Sequence, residues 1–212
     1  MKLLNIVNEM AYPESFSMDE FKKITSFRGR IKYCNQHLQR INSGSGRIVY
    51  KIDDEKVLKL ARNRKGIAQN ETESDYFLHD NYDDIVANCF DSDRDDNLWV
   101  EMELARRVKP SDFLSIVGVP LTGENSIEMW LKEIFKMYND RRTYIVDREV
   151  KKFLDDDSPF AYSLHDLVGS FDLAIGDVLK VNSWGKVKRD GEDAIVLVDI
   201  GCTNKTLSEY YG

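Results

Sequence analysis

Cysteine and histidine are scarce in this chain, with three of each in 212 residues. Cys34, Cys89 and Cys202 lie too far apart to read as a disulfide framework or a zinc site, and they fit a reducing compartment. His37 and His79 have no partners at catalytic or metal-ligand spacing, and His165 reads as a surface or structural residue. No apolar run approaches 18 residues, so no membrane-spanning helix is expected. The opening, Met-Lys-Leu-Leu-Asn-Ile-Val-Asn-Glu, has one basic residue and an apolar run soon broken by Asn and Glu, a poor match to a signal peptide. An excess of positive charge is also missing. The formal net charge of −7 argues against a non-specific nucleic-acid binder, although Arg62-Asn63-Arg64-Lys65 is a local basic patch. There is no internal repeat and no low-complexity linker.

What is present supports a folded protein. A content of 42% hydrophobic and 11% aromatic residues supplies a core and excludes a disordered chain. The length allows one domain of two lobes or two small domains. Residues 1–15 carry no clear pattern. Ser17 followed by Glu20 is a capping-box pattern, predicting a helix over 18–26 with Phe21, Ile24 and Phe27 on one face. From Leu38 the pattern turns to strands. Leu38 and Ile41 lead into Asn42-Ser43-Gly44-Ser45-Gly46-Arg47 and a strand over 48–52. An acidic turn at 53–55 then precedes a strand over 56–61, giving three antiparallel strands. Lys59 points away from the face of Leu58 and Leu60. It either discourages edge pairing or meets phosphates beneath a glycine turn whose backbone N–H groups an anion can approach.

A helix is predicted over 67–79, containing Glu71 and Glu73. Glu73 has Tyr76 and Phe77 at +3 and +4, whereas Glu71 has Ser74 and Asp75, so spacing favours Glu73 as the inward acid, the alternative for either being a solvated charge on the helix surface. Strands over 85–90 and 98–102 bring the total to five, with one helix inserted. Beyond them, residues 126–139 form an amphipathic helix with Ile127, Trp130, Leu131, Ile134, Phe135 and Tyr138 as its core stripe. A second helix spans 146–154 and runs into a solvated turn at Asp155-Asp156-Asp157. Leu164, Leu167, Val168 and Phe171 form a third stripe, and Trp130 and Trp184 read as packing residues. The stretch from Gly176 to Gly201 is the most suggestive. Asp177 is followed five residues later by Asn182. After a polar turn at 188–191, an apolar strand over 194–198 delivers Asp199 onto Ile200-Gly201. These residues either make turns or supply hard oxygen donors of the kind Mg²⁺ takes.

In this order the pieces resemble the protein-kinase-like fold, a class that includes aminoglycoside and choline phosphotransferases. Gly44-Ser45-Gly46-Arg47-Ile48-Val49 resembles the glycine-rich loop, and Val57-Leu58-Lys59-Leu60 the Val-Ala-Ile-Lys strand. Glu73 resembles the lysine's partner acid. Trp99 to Ala105 resembles the strand that ends at the hinge, with Met102 at the gatekeeper position. Gly176-Asp177 with Asn182 resembles a catalytic loop, closer in style to aminoglycoside phosphotransferases than to His-Arg-Asp. Asp199-Ile200-Gly201 resembles Asp-Phe-Gly. The resemblance covers about residues 38–203, and the Asn-x-Trp-Gly and Asp-x-Gly-x-Thr style is similar to compact kinase-like proteins of bacteriophages.

The resemblance implies an α+β, bilobal fold. Residues 1–37 would be an N-terminal extension, and 38–105 an N-lobe with a five-stranded antiparallel sheet and one helix. Residues 106–212 would form a truncated, mainly helical C-lobe. It implies ATP and Mg²⁺ as cofactors. Gly44 and Gly46 would cover the phosphates, and Lys59, held by Glu73, would pair with them. The backbone of Glu103 and Ala105 would meet the adenine, and Asn182 and Asp199 would hold the metal. Asp177 would accept the proton of an acceptor hydroxyl on a protein or small molecule. No nucleic acid or membrane partner is expected, and the location implied is cytoplasmic, or host-cytoplasmic for a phage protein. The sequence departs from the protein-kinase pattern as well. Ala174-Ile175-Gly176 stands where His and Arg would precede the aspartate, the segment from Asn182 to Asp199 is long, and eleven residues (202–212) follow Gly201 without Ala-Pro-Glu. Two readings therefore stand: an ATP- and Mg²⁺-dependent phosphotransferase, or a non-catalytic kinase-like module that binds a nucleotide or a partner.

Overall fold

The computed structural model describes residues 12–75, 81–135, 148–154 and 158–211. Its N-terminal part opens with two helices, α1 (Met18–Lys23) and α2 (Phe27–His37). The Ser17 side chain caps α1 by accepting from the Glu20 N–H. The expected single helix over 18–26 is broken because Ile24 turns extended and Ser26 caps a new helix, accepting from the Gly29 N–H.

A five-stranded antiparallel sheet follows. It comprises β1 (Gln39–Ser43), β2 (Arg47–Lys51), β3 (Lys56–Ala61), β4 (Cys89–Ser92) and β5 (Trp99–Glu103), in the order β1-β2-β3-β5-β4. Asp53 Oδ1 closes the β2–β3 turn by accepting from the N–H groups of Glu55 and Lys56, each at 2.7 Å. Alternation along the strands sorts the side chains into two faces. Ile48, Tyr50, Leu58, Leu60 and Trp99 pack against Phe16, Phe21 and Cys34, so α1 and α2 cover one face of the sheet. Val57, Val100 and Met102 point the other way and pack with Ala87, Val187 and Val196. Lys59, opposite Val49 on β2 and Val100 on β5, shares this second face.

Helix α3 (Arg64–Glu73) starts earlier than expected because the Asn63 side chain caps it by accepting from the Gly66 N–H. It ends at Glu73, and residues 76–80 of the expected span lie outside the described residues. The expected strand over 85–90 also differs. Only Cys89 and Phe90 enter β4, while Ile85, Val86 and Ala87 are buried and pair with Leu197. The Leu197 N–H donates to the Ile85 carbonyl at 2.7 Å, and the Ala87 N–H to the Leu197 carbonyl at 2.9 Å. A short apolar run buried on all sides has no period that reveals its strand partner.

The C-terminal half contains β6 (Arg106–Arg107), α4 (Pro110–Ile116), α5 (Ile127–Ile134), α6 (Arg148–Lys152), α7 (Pro159–Ser170) and α8 (Ile175–Val178). A 3₁₀ turn at Val181–Ser183, the hairpin β7 (Trp184–Arg189) and β8 (Glu192–Leu197), and α9 (Asn204–Tyr211) complete it. Strands β6, β7 and β8 form a second antiparallel sheet, and the hairpin turns at Asp190–Gly191, both with positive φ. The expected stripes are core: Ile127, Trp130, Leu131, Leu164, Leu167 and Val168 are buried together with Phe113 and Trp184. Residues 136–147 and 155–157, which include the expected extension to 139 and the triple-aspartate turn, lie outside the described residues. The architecture is α+β, a five-stranded antiparallel sheet followed by a mainly helical half that carries the small second sheet.

Phe21 is fully buried between α1, α2 and the sheet. Phe21→Ala is expected to lower the unfolding free energy by about 3–5 kcal/mol, read from urea denaturation at neutral pH. A change well below that range would show that α1 is not part of the cooperative core.

Candidate functional site

The glycine turn between β1 and β2 and the start of α3 approach each other closely. A Cβ on Gly66 would lie 2.2 Å from the Gly46 carbonyl oxygen and 3.0 Å from the Ala61 Cα, so only glycine lets the helix meet the turn. At mid-helix, a Cβ on Gly201 would come within 2.7–2.9 Å of Gln69, which brings the segment after β8 against α3. Held in this way, α3 delivers Glu73 to the second face of the sheet.

Glu73 is fully buried and heavily bonded. Its Oε2 lies 2.6 Å from Lys59 Nζ and 2.7 Å from Arg47 Nη1. Its Oε1 accepts from Arg47 Nη2 at 2.8 Å and from the N–H groups of Ile200 and Gly201 at 3.1 and 3.2 Å. Burial pushes the Glu73 carboxyl up, but Arg47 and Lys59 outweigh it and hold the pKa at about 2. Lys59 is lowered, by burial first and by Arg47, against the pull of Glu73. Lys59 Nζ also donates to the Val198 carbonyl. Arg47 reaches across to Asp199, with Nη2 2.6 Å from Oδ1. Burial disfavours its charge, and Glu73 with Asp199 more than offset that, so its pKa ends above the ordinary arginine value.

The other half of the site comes from the loop between α7 and β7. Asp177, in α8, pairs with Lys180 through Oδ1. The Ser183 hydroxyl donates to the Asp177 carbonyl at 2.8 Å, and Trp184 Nε1 donates to the Val178 carbonyl at 2.6 Å, so β7 fixes this loop. The Ser183 carbonyl in turn accepts from the N–H groups of Val198 and Asp199, tying the Asp177–Asn182 turn to the segment that carries Asp199. The Cys202 thiol is pushed up to about 12 by burial and by its hydrogen bond with Asp177, so it is not a thiolate nucleophile.

These pieces border one cavity of about 400 Å³ between the five-stranded sheet and the segments 177–183 and 198–202. Gly44, Gly46, Lys59, Glu103, Ala105, Asp177, Asn182 and Asp199 all line it, together with Arg47, Val49, Val57, Met102 and Lys180. Glu73 sits behind the wall and reaches the cavity through Lys59 and Arg47. The Glu103 carboxylate is engaged by Arg189 in a two-pronged pair, both contacts at 2.7 Å, and Glu103 contributes to the cavity at the end of β5. Glu71 is not part of this cluster. His165 is exposed and meets Trp130 edge-on and Phe135 at a tilt, as a surface packing residue.

Sequence reasoning missed Arg47, Lys180 and Ser183 as parts of the site. Arg47 was legible in principle. It sits on the strand face of Val49 and Lys59, opposite to Ile48 and Tyr50, where a charged side chain needs a partner. For a metal, no group of three or more His, Cys, Asp or Glu side chains among the described residues is placed to hold one. Asn182 and Asp199 offer two hard oxygen donors, a set that suits Mg²⁺ when water and phosphate oxygens complete its shell. Arg47 already occupies Asp199 Oδ1. Among the described residues no helix is long and apolar enough to cross a membrane.

No family model and no curated protein matches the sequence. Among solved structures, the GDP and kanamycin complex of APH(2")-IIia is similar, with 13% identity and a TM-score of 0.38. The match covers 87% of this chain and 70% of that chain.

The Glu73 cluster makes a prediction for acid stability. Because its pKa is depressed from 4.5 to about 2, its contribution is fully present above pH 4.5 and is lost as pH falls through 2. Glu73→Gln should destabilise by about 3 kcal/mol at neutral pH. The gap from wild type, followed by urea denaturation, should narrow steadily between pH 4.5 and pH 2. A gap independent of pH would mean that the carboxylate charge does not stabilise the fold.

Proposed function

We propose that this protein is a nucleotide-dependent phosphotransferase, using ATP with Mg²⁺ to phosphorylate a hydroxyl group on a protein or small molecule. The observation that carries this reading is the buried Lys59–Glu73 ion pair, which places the lysine in the same cavity as Asp177, Asn182 and Asp199. The adenine end would lie by Val49, Val57, Met102 and the backbone of Glu103 to Ala105, which offer apolar walls and peptide groups. The phosphates would lie under Gly44-Ser45-Gly46, where backbone can approach without side-chain obstruction. Lys59 would meet the α and β phosphates, its side chain held in place by Glu73.

The acceptor hydroxyl would be oriented by Asp177. Its oxygen attacks the γ phosphorus, its proton passes to the Asp177 carboxylate, and the bond to the β–γ bridging oxygen breaks to leave a nucleoside diphosphate. Asp177 is paired to Lys180 in the free protein, and Lys180, 66% exposed, is placed to turn to the transferred phosphoryl group and free the carboxylate. Asn182 and Asp199 would hold Mg²⁺, which when bound supplies charge neutralisation on the phosphate oxygens. The protein's own contribution is position and fixed charge, which suffices for phosphoryl transfer.

A second reading has its own support. Asp177 and Asp199 are each paired to a cation of the chain itself, Lys180 and Arg47. A cleft closed on its own charges suits a module that binds nucleotide and acts through a partner without turnover.

Transfer separates the two. With γ-labelled ATP and Mg²⁺, the wild type should release or transfer label at a rate that Asp177→Ala cuts by about a hundredfold or more. Wild-type rates no higher than those of the variant would leave only the binding reading. Binding itself is tested by thermal denaturation. Saturating ATP should raise the midpoint by about 2–4 °C for each kcal/mol of linkage, and Lys59→Ala should remove most of the rise. No rise at millimolar nucleotide would count against both readings.

A further inference from the structure

Resting on the second reading above, a module that binds nucleotide without turnover, we infer that Arg47 is a cation built into the site. It takes, at Asp199, the charge-neutralising place of a divalent metal, so that this protein binds nucleotide without one.

The argument begins with charge. Glu73 already has one cation, Lys59, at 2.6 Å, and that pair is balanced. Asp199, its side chain 52% exposed, is the second acid at the edge of the cavity. Arg47 meets it from the first position of β2, directly after the glycine turn. Its side chain is only 7% exposed. One guanidinium nitrogen, Nη1, bonds Glu73 at 2.7 Å and Asn70 Oδ1 at 3.5 Å. The other, Nη2, bonds Glu73 at 2.8 Å and Asp199 at 2.6 Å. The planar fork thus spans two carboxylates that come from α3 and from the segment after β8. Arg47, Lys59, Glu73 and Asp199 sum to zero charge. A divalent cation at Asp199 Oδ1 would compete with Arg47 for that oxygen.

Geometry explains what Arg47 does when nucleotide arrives. It lines the cavity beside Gly46, where phosphates would enter, and Lys59 and Lys180 line the same space. Lys65 stands behind the glycine turn with its Nζ 2.6 Å from Ser45 Oγ. Buried Arg47 and Lys59 and exposed Lys180 therefore border the phosphate end, and a polyphosphate can be neutralised by the chain alone. Arg47 needs only to share its guanidinium between Asp199 and a phosphate oxygen, since a guanidinium has five N–H donors.

The test measures ADP and ATP affinity by titration calorimetry, in EDTA and in millimolar Mg²⁺. Wild type should bind in EDTA within about threefold of its affinity in Mg²⁺. Arg47→Gln should weaken binding in EDTA by about tenfold or more, with Mg²⁺ restoring much of the loss. Arg47→Gln disturbs the Glu73 cluster, so Asp199→Asn is the second variant, because it keeps the Arg47–Glu73 pair. It should bind more tightly than wild type in EDTA, by roughly threefold, and show no response to Mg²⁺. Wild-type binding that collapses in EDTA by about tenfold or more would overturn the inference while leaving the nucleotide site intact. Equal Mg²⁺ dependence in wild type and Arg47→Gln would overturn it too. No binding in either condition would overturn both the inference and the reading on which it rests.

Discussion

One buried carboxylate organises this protein. Glu73 has no access to solvent, and an isolated charge at that depth would cost several kcal/mol. It is tolerated because Lys59, Arg47 and the backbone N–H groups of Ile200 and Gly201 all converge on it. Those partners come from β3, from β2 and from the segment after β8. The carboxylate therefore joins the five-stranded sheet, helix α3 and the far lobe at one point. Each partner is held in turn: Lys59 by strand alternation, Arg47 by the glycine turn, and Ile200–Gly201 by close contact of Gly201 with Gln69.

The cavity is a consequence of that junction. The two sheets meet through Ala87, Met102, Val187 and Val196, and residues 85–87 stitch the lobes together by bonding to Leu197. The apolar contact sets the back of the cleft, and the charged cluster sets its inner wall. On the other side of the five-stranded sheet, α1 and α2 bury Leu58, Leu60 and Tyr50. Burial on that face leaves Arg47, Val49, Val57, Lys59 and Met102 among the side chains that the sheet presents to the cleft.

The site shows the same rule of charge compensation twice. Asp199 is met by Arg47, and Asp177 by Lys180. The two pairs differ in setting. Arg47 is buried and fixed by two carboxylates, whereas Lys180 is largely exposed and mobile in its reach. An exposed cation exchanges readily for a phosphate, while one buried against Glu73 resists displacement. That difference is why Lys180 suits a role in turnover and Arg47 suits a permanent place in the binding site.

Local pattern made much of this visible before any coordinates. The alternation around Lys59 showed which way it faces, and the spacing of Asp177, Asn182 and Asp199 marked them as one group. The strands β2, β3 and β5, the caps at Ser17 and the stripes of α5 and α7 were legible for the same reason: each depends on residues a few positions apart. Helix α2 was not legible, because Arg30 and Cys34 are its only buried side chains and give no apolar stripe. The strand expected over 85–90 was misplaced because full burial of Ile85, Val86 and Ala87 erases the period that names a partner. By itself, then, the sequence determined the order of elements, the facing of Lys59 and the acids available to a site. Only the tertiary structure decided that Arg47 meets Asp199, 152 residues away, and shares Glu73 with Lys59. A buried charge takes whichever opposite charge folding brings within reach, and no local spacing records that distance.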